Sequence, residues 1–307
     1  MIEIFDFNAL KQPSNKTLLK IREISSTLGF LIVKETSIPT HEIELVFETY
    51  RDFFKQPVEV KNTINMNQTS SNRGWGPSKS EQVNSNSNPD LKEFFDSGFN
   101  LPSDDPMSNL SVYAPNQWPK YPLNFKHTIS KYYLDCFEIA SVILRALAAS
   151  ISLPSGYFDD KFNKPMALLR ANYYPERPKW AGKNDSGIAA HTDYGCLTLL
   201  ASDGKAGLEV QNISGEWISV SANPGEYIVN FGEMLQMWTS DLIRATPHRV
   251  HSVSMERYSI PLFFNPNYDT NVAPVGSNKT ILAGDYLTKR FQQTYIHLRN
   301  SNANETP

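Results

Sequence analysis

Apolar positions along this chain fall into two textures. In the first half they recur at three- and four-residue steps, the helical period; in the second they form short blocks or alternate. Ile2 to Phe7 alternates and predicts a first strand. Leu18, Ile21, Ile24 and Leu28 predict a helix over Thr17–Leu28, stopped by Gly29. Phe30–Val33 predicts a short buried strand, and a second helix runs from near Pro39 to about Lys55. Phe125, Ile129, Tyr132, Cys136, Ile139, Ile143 and Leu147 place one apolar stripe on a helix over 124–152, the signature of a scaffold helix lying on a sheet. Residues 62–90 are rich in Asn, Ser and Gln and predict a long polar loop, low in complexity at Asn84–Asn88.

After Pro154 the predicted strands are Met166–Tyr174, Ile188–Ala201, Gly207–Asn212, Glu216–Ser221, Tyr227–Phe231, His248–Val253 and Tyr258–Phe264. Many evenly spaced strands point to a jelly roll or barrel. A closing helix is expected over 284–299. The helical half cannot cover its apolar faces without the strands. One domain over 1–307 is therefore expected: a mainly helical region (1–160), a strand core (165–266) and the closing helix.

Composition narrows the function classes. A net charge of −3 without a basic run gives no pull towards nucleic acid or an acidic membrane surface. Cys136 and Cys196 sit in apolar contexts, in neither a metal nor a disulfide pattern, as expected in a reducing compartment. The N-terminus lacks a basic stretch followed by a long apolar run, so no signal peptide is expected. Ile139–Leu153 is interrupted by Arg145 and is too short to span a bilayer. The expectation is a cytoplasmic protein without a nucleic-acid or membrane partner; the oligomeric state is not legible.

Chemistry enters at His191-Thr192-Asp193. On a strand, residues two apart share a face, so an imidazole and a carboxylate would project together from an apolar stretch. Desolvating both is costly without a partner. A metal ion is one partner, and a further ligand would complete the two-His, one-carboxylate triad of non-haem Fe(II) oxygenases. His41, His127 and His297 fall on predicted helices and are expected at the surface. His248 and His251, three apart, face opposite sides of one strand, and spacing does not choose between them. Arg257 and Ser259 share a face of a later strand. That pair suits a carboxylate, and equally an Arg salt-bridged to Glu256 or Glu233.

HTDYGCLTLL, TPHRV, RYS and NYYP together resemble the isopenicillin N synthase-like branch of the Fe(II)/2-oxoglutarate oxygenases. Gly29-Phe30, Phe53-Phe54, Arg73-Gly74-Trp75, Lys92-Glu93 and Pro115–Pro119 extend the likeness nearly end to end. Departures are Glu35–Ile38, where members carry an Asn-His-Gly turn, and Glu233, where they carry Asp. The resemblance implies an α+β fold, with a double-stranded β-helix (jelly-roll) core flanked by N-terminal helices and a C-terminal helix. It implies His191, Asp193 and His248 as Fe(II) ligands, and Arg257 and Ser259 as the clamp on 2-oxoglutarate. It places Asn172 and Tyr174 near that co-substrate. It implies oxidation of a small molecule by O2 with release of succinate and CO2. A 2-oxoglutarate-independent oxidase, an ethylene/succinate-forming enzyme and a non-catalytic binder are the competing readings. Trp75, Trp238 and Phe264 are candidates for the substrate pocket. The island Arg73–Pro77 is a candidate lid, closing over the iron with Arg73 or Trp75 touching the substrate.

Overall fold

The alternating N-terminus forms β1 (Glu3–Asp6). The Asp6 carboxylate then caps the short helix α1 (Phe7–Lys11) by accepting from the Asn8 amide. Ser14 caps α2 (Asn15–Thr27) in the same way through the Thr17 amide. The helix stops where Gly29 takes φ +67° and its N–H reaches back to the Ile24 carbonyl. Then follow β2 (Phe30–Lys34), α3 (Thr40–Phe54), α4 (Val58–Asn62), β3 (Gly74–Gly76), β4 (Glu93–Gly98) and α5 (Phe125–Ser150). The strand-rich part holds β5 (Leu168–Tyr174), β6 (Ile188–His191), β7 (Leu197–Ser202), β8 (Leu208–Gln211), β9 (Trp217–Val220) and β10 (Tyr227–Phe231). It continues through α6 (Glu233–Trp238), β11 (His248–Val250), β12 (Arg257–Phe264) and α7 (Ala283–Thr294). This computed structural model describes residues 2–68, 72–82, 87–180, 182, 187–250 and 255–294. His251, His297, most of the Asn84–Asn88 tract and the expected helix beyond residue 294 lie outside them.

Two sheets face each other as a jelly roll. The larger has the order β1-β2-β10-β7-β12-β5-β4-β3 and the smaller β6-β11-β8-β9. The N-terminal region is less helical than its periodicity predicts. It supplies β1 and β2 at one edge of the large sheet and β3 and β4 at the other, so both halves of the chain share one sheet. The predicted strand Ile188–Ala201 is two strands, β6 in the small sheet and β7 in the large one, joined by the turn 192–196. Both pieces are apolar, and hydrophobicity alone does not mark where a chain changes sheets.

Strand parity sorts the side chains of the large sheet. One face carries Trp75, Phe95, Leu169, Tyr258, Leu262, Phe264, Leu199 and Val229, and packs on α1, α2, α3 and α5 to form the main core. The other face looks between the sheets. Its apolar end, with Phe30, Ile32, Tyr174 and Ile228, meets Leu208, Val210, Val220 and Val250. The rest of that inner face sets Phe94, Leu168 and Phe263 beside a concentration of polar groups: Asp96, Arg170, Asn172, Arg257, Ser259, Thr198 and Asn230 are all buried there. Buried polar groups concentrated on one face of a sheet need partners, and the functional site lies against them.

Candidate metal centre and co-substrate pocket

His191 is the last residue of β6 and His248 the first of β11, and the two stand directly opposite in antiparallel register. Paired residues share a face, so both imidazoles enter the space between the sheets. Their ring centroids are 4.3 Å apart. Asp193 lies past the end of β6, in the turn, rather than on the same strand as His191. It reaches the imidazoles because the turn curls back: Asp193 Oδ1 is 3.7 Å from His191 Nε2 and 3.6 Å from His248 Nε2. One ligand atom from each of the three falls within 4.8 Å of the others.

Hydrogen bonds aim the donor atoms. His191 Nδ1 lies 2.8 Å from the Ala189 carbonyl and His248 Nδ1 lies 3.1 Å from the Thr246 carbonyl. A carbonyl can only accept, so each Nδ1 carries the proton and each Nε2 lone pair points at the shared centre. Asp193 Oδ2 accepts from Thr198 Oγ1 at 2.5 Å and Asn230 Nδ2 at 2.6 Å, which leaves Oδ1 for a metal. Thr198 and Asn230 are a cross-strand pair on β7 and β10. Burial, and then repulsion from His248, lower His191 to about 4, so its imidazole is neutral at neutral pH. Burial raises the Asp193 carboxyl, but the imidazoles of His248 and His191 and the bonds from Thr198 and Asn230 outweigh it, and the net displacement is downward. A neutral His191 imidazole beside an ionised Asp193 carboxylate is the protonation state a divalent cation requires.

The turn that carries Asp193 is held from behind by α6. The Glu233 amide donates to the Asp193 carbonyl and the Gly232 amide to that of Cys196. The approach is so close that a Cβ on Gly232 would stand 2.3 Å from the Gly195 carbonyl oxygen. Glu233 accepts from Thr192, Tyr286 and Arg290, which ties the turn to α7.

Beyond these three residues, Arg257 is 1% exposed and Ser259 3% exposed. Glu233 is engaged by Arg290 and Glu256 is exposed, so neither neutralises the Arg257 guanidinium. Among the described residues its Nε and Nη1 are buried without a partner, and Asn172 Nδ2 donates to Ser259 Oγ. The Tyr174 ring packs under the guanidinium at 5.1 Å. Leaving a buried charge unmatched is costly, so these orphaned donors fit a ligand carboxylate. A cavity of about 100 Å³ borders His191, Asp193 and Asn172 and is walled by Leu168, Ile188, Phe263, Leu287 and Phe291.

The remaining candidates do not join this site. Trp75, the middle of β3, is buried in the main core and donates from Nε1 to Glu93. The island 73–77 is thus a sheet edge rather than a lid. Arg73 is buried, bonded to the Asn72 and Val112 carbonyls, and lines a smaller neighbouring cavity that shares Leu168 and Phe291. Trp238 packs on Phe158 behind the sheet. Phe264 stacks on Phe162 in the main core, while Phe263, one residue earlier, faces the cavity. Counting by twos from Arg257 reaches Phe263, a parity signal that is present in the sequence and that the choice of Phe264 overlooks.

Residues 2–121 match the non-haem dioxygenase in morphine synthesis N-terminal family, and 165–266 match the 2OG-Fe(II) oxygenase superfamily. The 2-oxoglutarate-dependent dioxygenase citB of Monascus ruber is 32% identical over 92% of this chain and 90% of its own length. The chain belongs to the isopenicillin N synthase-like 2-oxoglutarate/Fe(II) oxygenases. The 2-oxoglutarate-Fe(II) type oxidoreductase hxnY of Emericella nidulans is 34% identical over 83% of this chain and 75% of its own length. A full-length Neurospora crassa protein crystallised in complex with alpha-KG superposes with a TM-score of 0.83 at 27% identity, covering 95% of this chain and 96% of that one. As a member of this oxygenase family the protein is a dioxygenase using Fe(II), 2-oxoglutarate and O2 on a small molecule.

Proposed function

We propose that His191, Asp193 and His248 hold Fe(II), and that Arg257 and Ser259 hold the distal carboxylate of 2-oxoglutarate. Asn172 orients Ser259, and the Tyr174 ring supports the guanidinium. The observation that carries this reading is the buried, unmatched Arg257 guanidinium on the same strand face as Ser259. It favours a 2-oxoglutarate user over a family member that dispenses with the co-substrate. The overall reaction oxidises the substrate while 2-oxoglutarate is converted to succinate and CO2, with one oxygen atom of O2 entering succinate. Bound iron would supply O2 activation coupled to 2-oxoglutarate decarboxylation. The chain's own residues bind and orient. The two Nε2 lone pairs and Asp193 Oδ1 converge and would hold the iron. Leu168, Phe263 and Phe291 exclude water beside the reacting position. Cys136 and Cys196 are buried and unpaired, which supports the cytoplasm as the working compartment.

Anaerobic titration with Fe(II) and 2-oxoglutarate tests the assignment. Chelation gives a visible metal-to-ligand charge-transfer band. In Arg257→Leu the midpoint should move to higher 2-oxoglutarate by roughly 30-fold or more, as expected when one side of a buried charge pair is removed. An unchanged midpoint would assign Arg257 to another ligand.

A further inference from the structure

Five charged side chains are buried beside the cavity. Lys92 Nζ lies 2.8 Å from Glu81 and 3.3 Å from Asp90. Arg170 forks onto Asp96 with two bonds of 2.7 Å, and its Nη1 lies 2.8 Å from Glu81. Arg170 and Asp96 are a cross-strand pair on β5 and β4, so the fork is set by register. All five are at most 7% exposed. Glu81, Lys92 and Arg170 line the cavity itself, opposite the apolar wall of Ile188, Phe263, Leu287 and Phe291. Glu81 is the bridge, since it touches both cations.

We propose that this network is a charge filter for the prime substrate. Lys92 and Arg170 are matched from within by Glu81, Asp90 and Asp96, so the pocket selects an uncharged molecule with an apolar body and discriminates against anions and cations. This deepens the reading above and rests on it. The physical reason is symmetric. An anion approaching Lys92 or Arg170 also approaches Glu81, which stands between them, and gains little net attraction for the water it gives up. A cation meets the converse. An apolar ring or chain loses only water from the carbon walls. Glu81 is thereby a specificity-determining residue, although it lies on the segment before β4 and far in sequence from the metal ligands.

The test uses the full-length protein loaded anaerobically with Fe(II) and 2-oxoglutarate. Substrate entering beside the metal perturbs the charge-transfer band, so binding is read without turnover. The probes are the acetamides, acetates and ethylamines of phenyl, indolyl and naphthyl, which present neutral, anionic and cationic forms of the same bodies. In the wild type the acetamide of at least one body should perturb the band at a concentration at least tenfold below its acetate and its ethylamine. Glu81→Gln should shift the acetate-to-acetamide ratio at least tenfold towards the acetate, because two cations then share less negative charge. Lys92→Met should shift the ethylamine-to-acetamide ratio at least tenfold towards the ethylamine, and serves independently if Glu81→Gln does not fold. A wild-type preference for the acetate or ethylamine overturns the proposal. So does an absence of response to every probe, and so does an unchanged ratio in a folded variant. Failure of the charge-transfer band to form at all would instead count against the co-substrate assignment.

Discussion

At the residue scale, the centre depends on which atoms are already occupied. Asp193 has two carboxylate oxygens, and Thr198 and Asn230 take one of them. A carboxylate held in this way presents a single oxygen in a fixed direction, and partners of this kind typically contribute roughly 10–100-fold to metal affinity. Asn230→Leu and Thr198→Val should each weaken Fe(II) binding by roughly 10-fold or more, measured by anaerobic metal titration. His191→Ala, Asp193→Ala and His248→Ala should abolish it. If Asn230→Leu and Thr198→Val both bind Fe(II) like the wild type, neither partner orients the carboxylate.

At the element scale, the parity of β12 separates two neighbouring phenylalanines. Phe264 stacks on Phe162 in the main core, and Phe263 faces the cavity. A one-residue change of register exchanges core and site, so the two substitutions should fail differently. Phe264→Ala should cost about 3–5 kcal/mol of stability, read by urea unfolding, because it opens a cavity in a packed core. Its Fe(II)–2-oxoglutarate band should form normally under native conditions. Phe263→Ala should cost less stability but raise the succinate formed per oxidised product, since a looser wall leaves the target C–H bond misplaced. Equal losses of stability in both would show that Phe263 is a core residue. The same parity explains the failure of the lid expectation. Trp75 pairs with Phe95 on the helix-facing side of the large sheet, which the polar residues flanking Arg73–Pro77 in the sequence conceal.

At the scale of the whole molecule, the ion network by the cavity links acid stability to the site. Glu81 is held at about 2: burial pushes it up, but Arg170 and then Lys92 outweigh that penalty. Its ordinary value is 4.5. A depressed carboxyl contributes stability fully above the ordinary value, and that contribution is lost as pH falls towards the folded one. The metal-free protein should therefore lose stability between about pH 4.5 and 2. In Glu81→Gln the urea midpoint should start lower at about pH 6 and change less across that window. Asp90 acts in the opposite sense. Burial raises it to about 6, so ionising it costs stability at neutral pH, and that cost is relieved as pH falls through 6. A wild-type midpoint that rises steadily down to about pH 2 would remove Glu81 from the buried network.

What the sequence determined by itself is local or repetitive. The helical period drew α2, α3 and α5, alternation and turn residues drew most of the strands, and ordered short motifs carried the family. The His191/Asp193 and Arg257/Ser259 pairs stood out as polar groups in apolar stretches, whereas the choice of His248 over His251 and the co-substrate role of Arg257 and Ser259 came from the family resemblance. The tertiary structure decided whatever depends on which strands become neighbours. It split 188–201 between two sheets and set His248 opposite His191. It also recruited β3 and β4 to the large sheet and carried Glu81, Lys92 and Arg170 to the cavity. Those pairings join residues tens of positions apart. One-dimensional periodicity records which face a residue occupies, but not what stands across from that face. The substrate wall is built from such encounters.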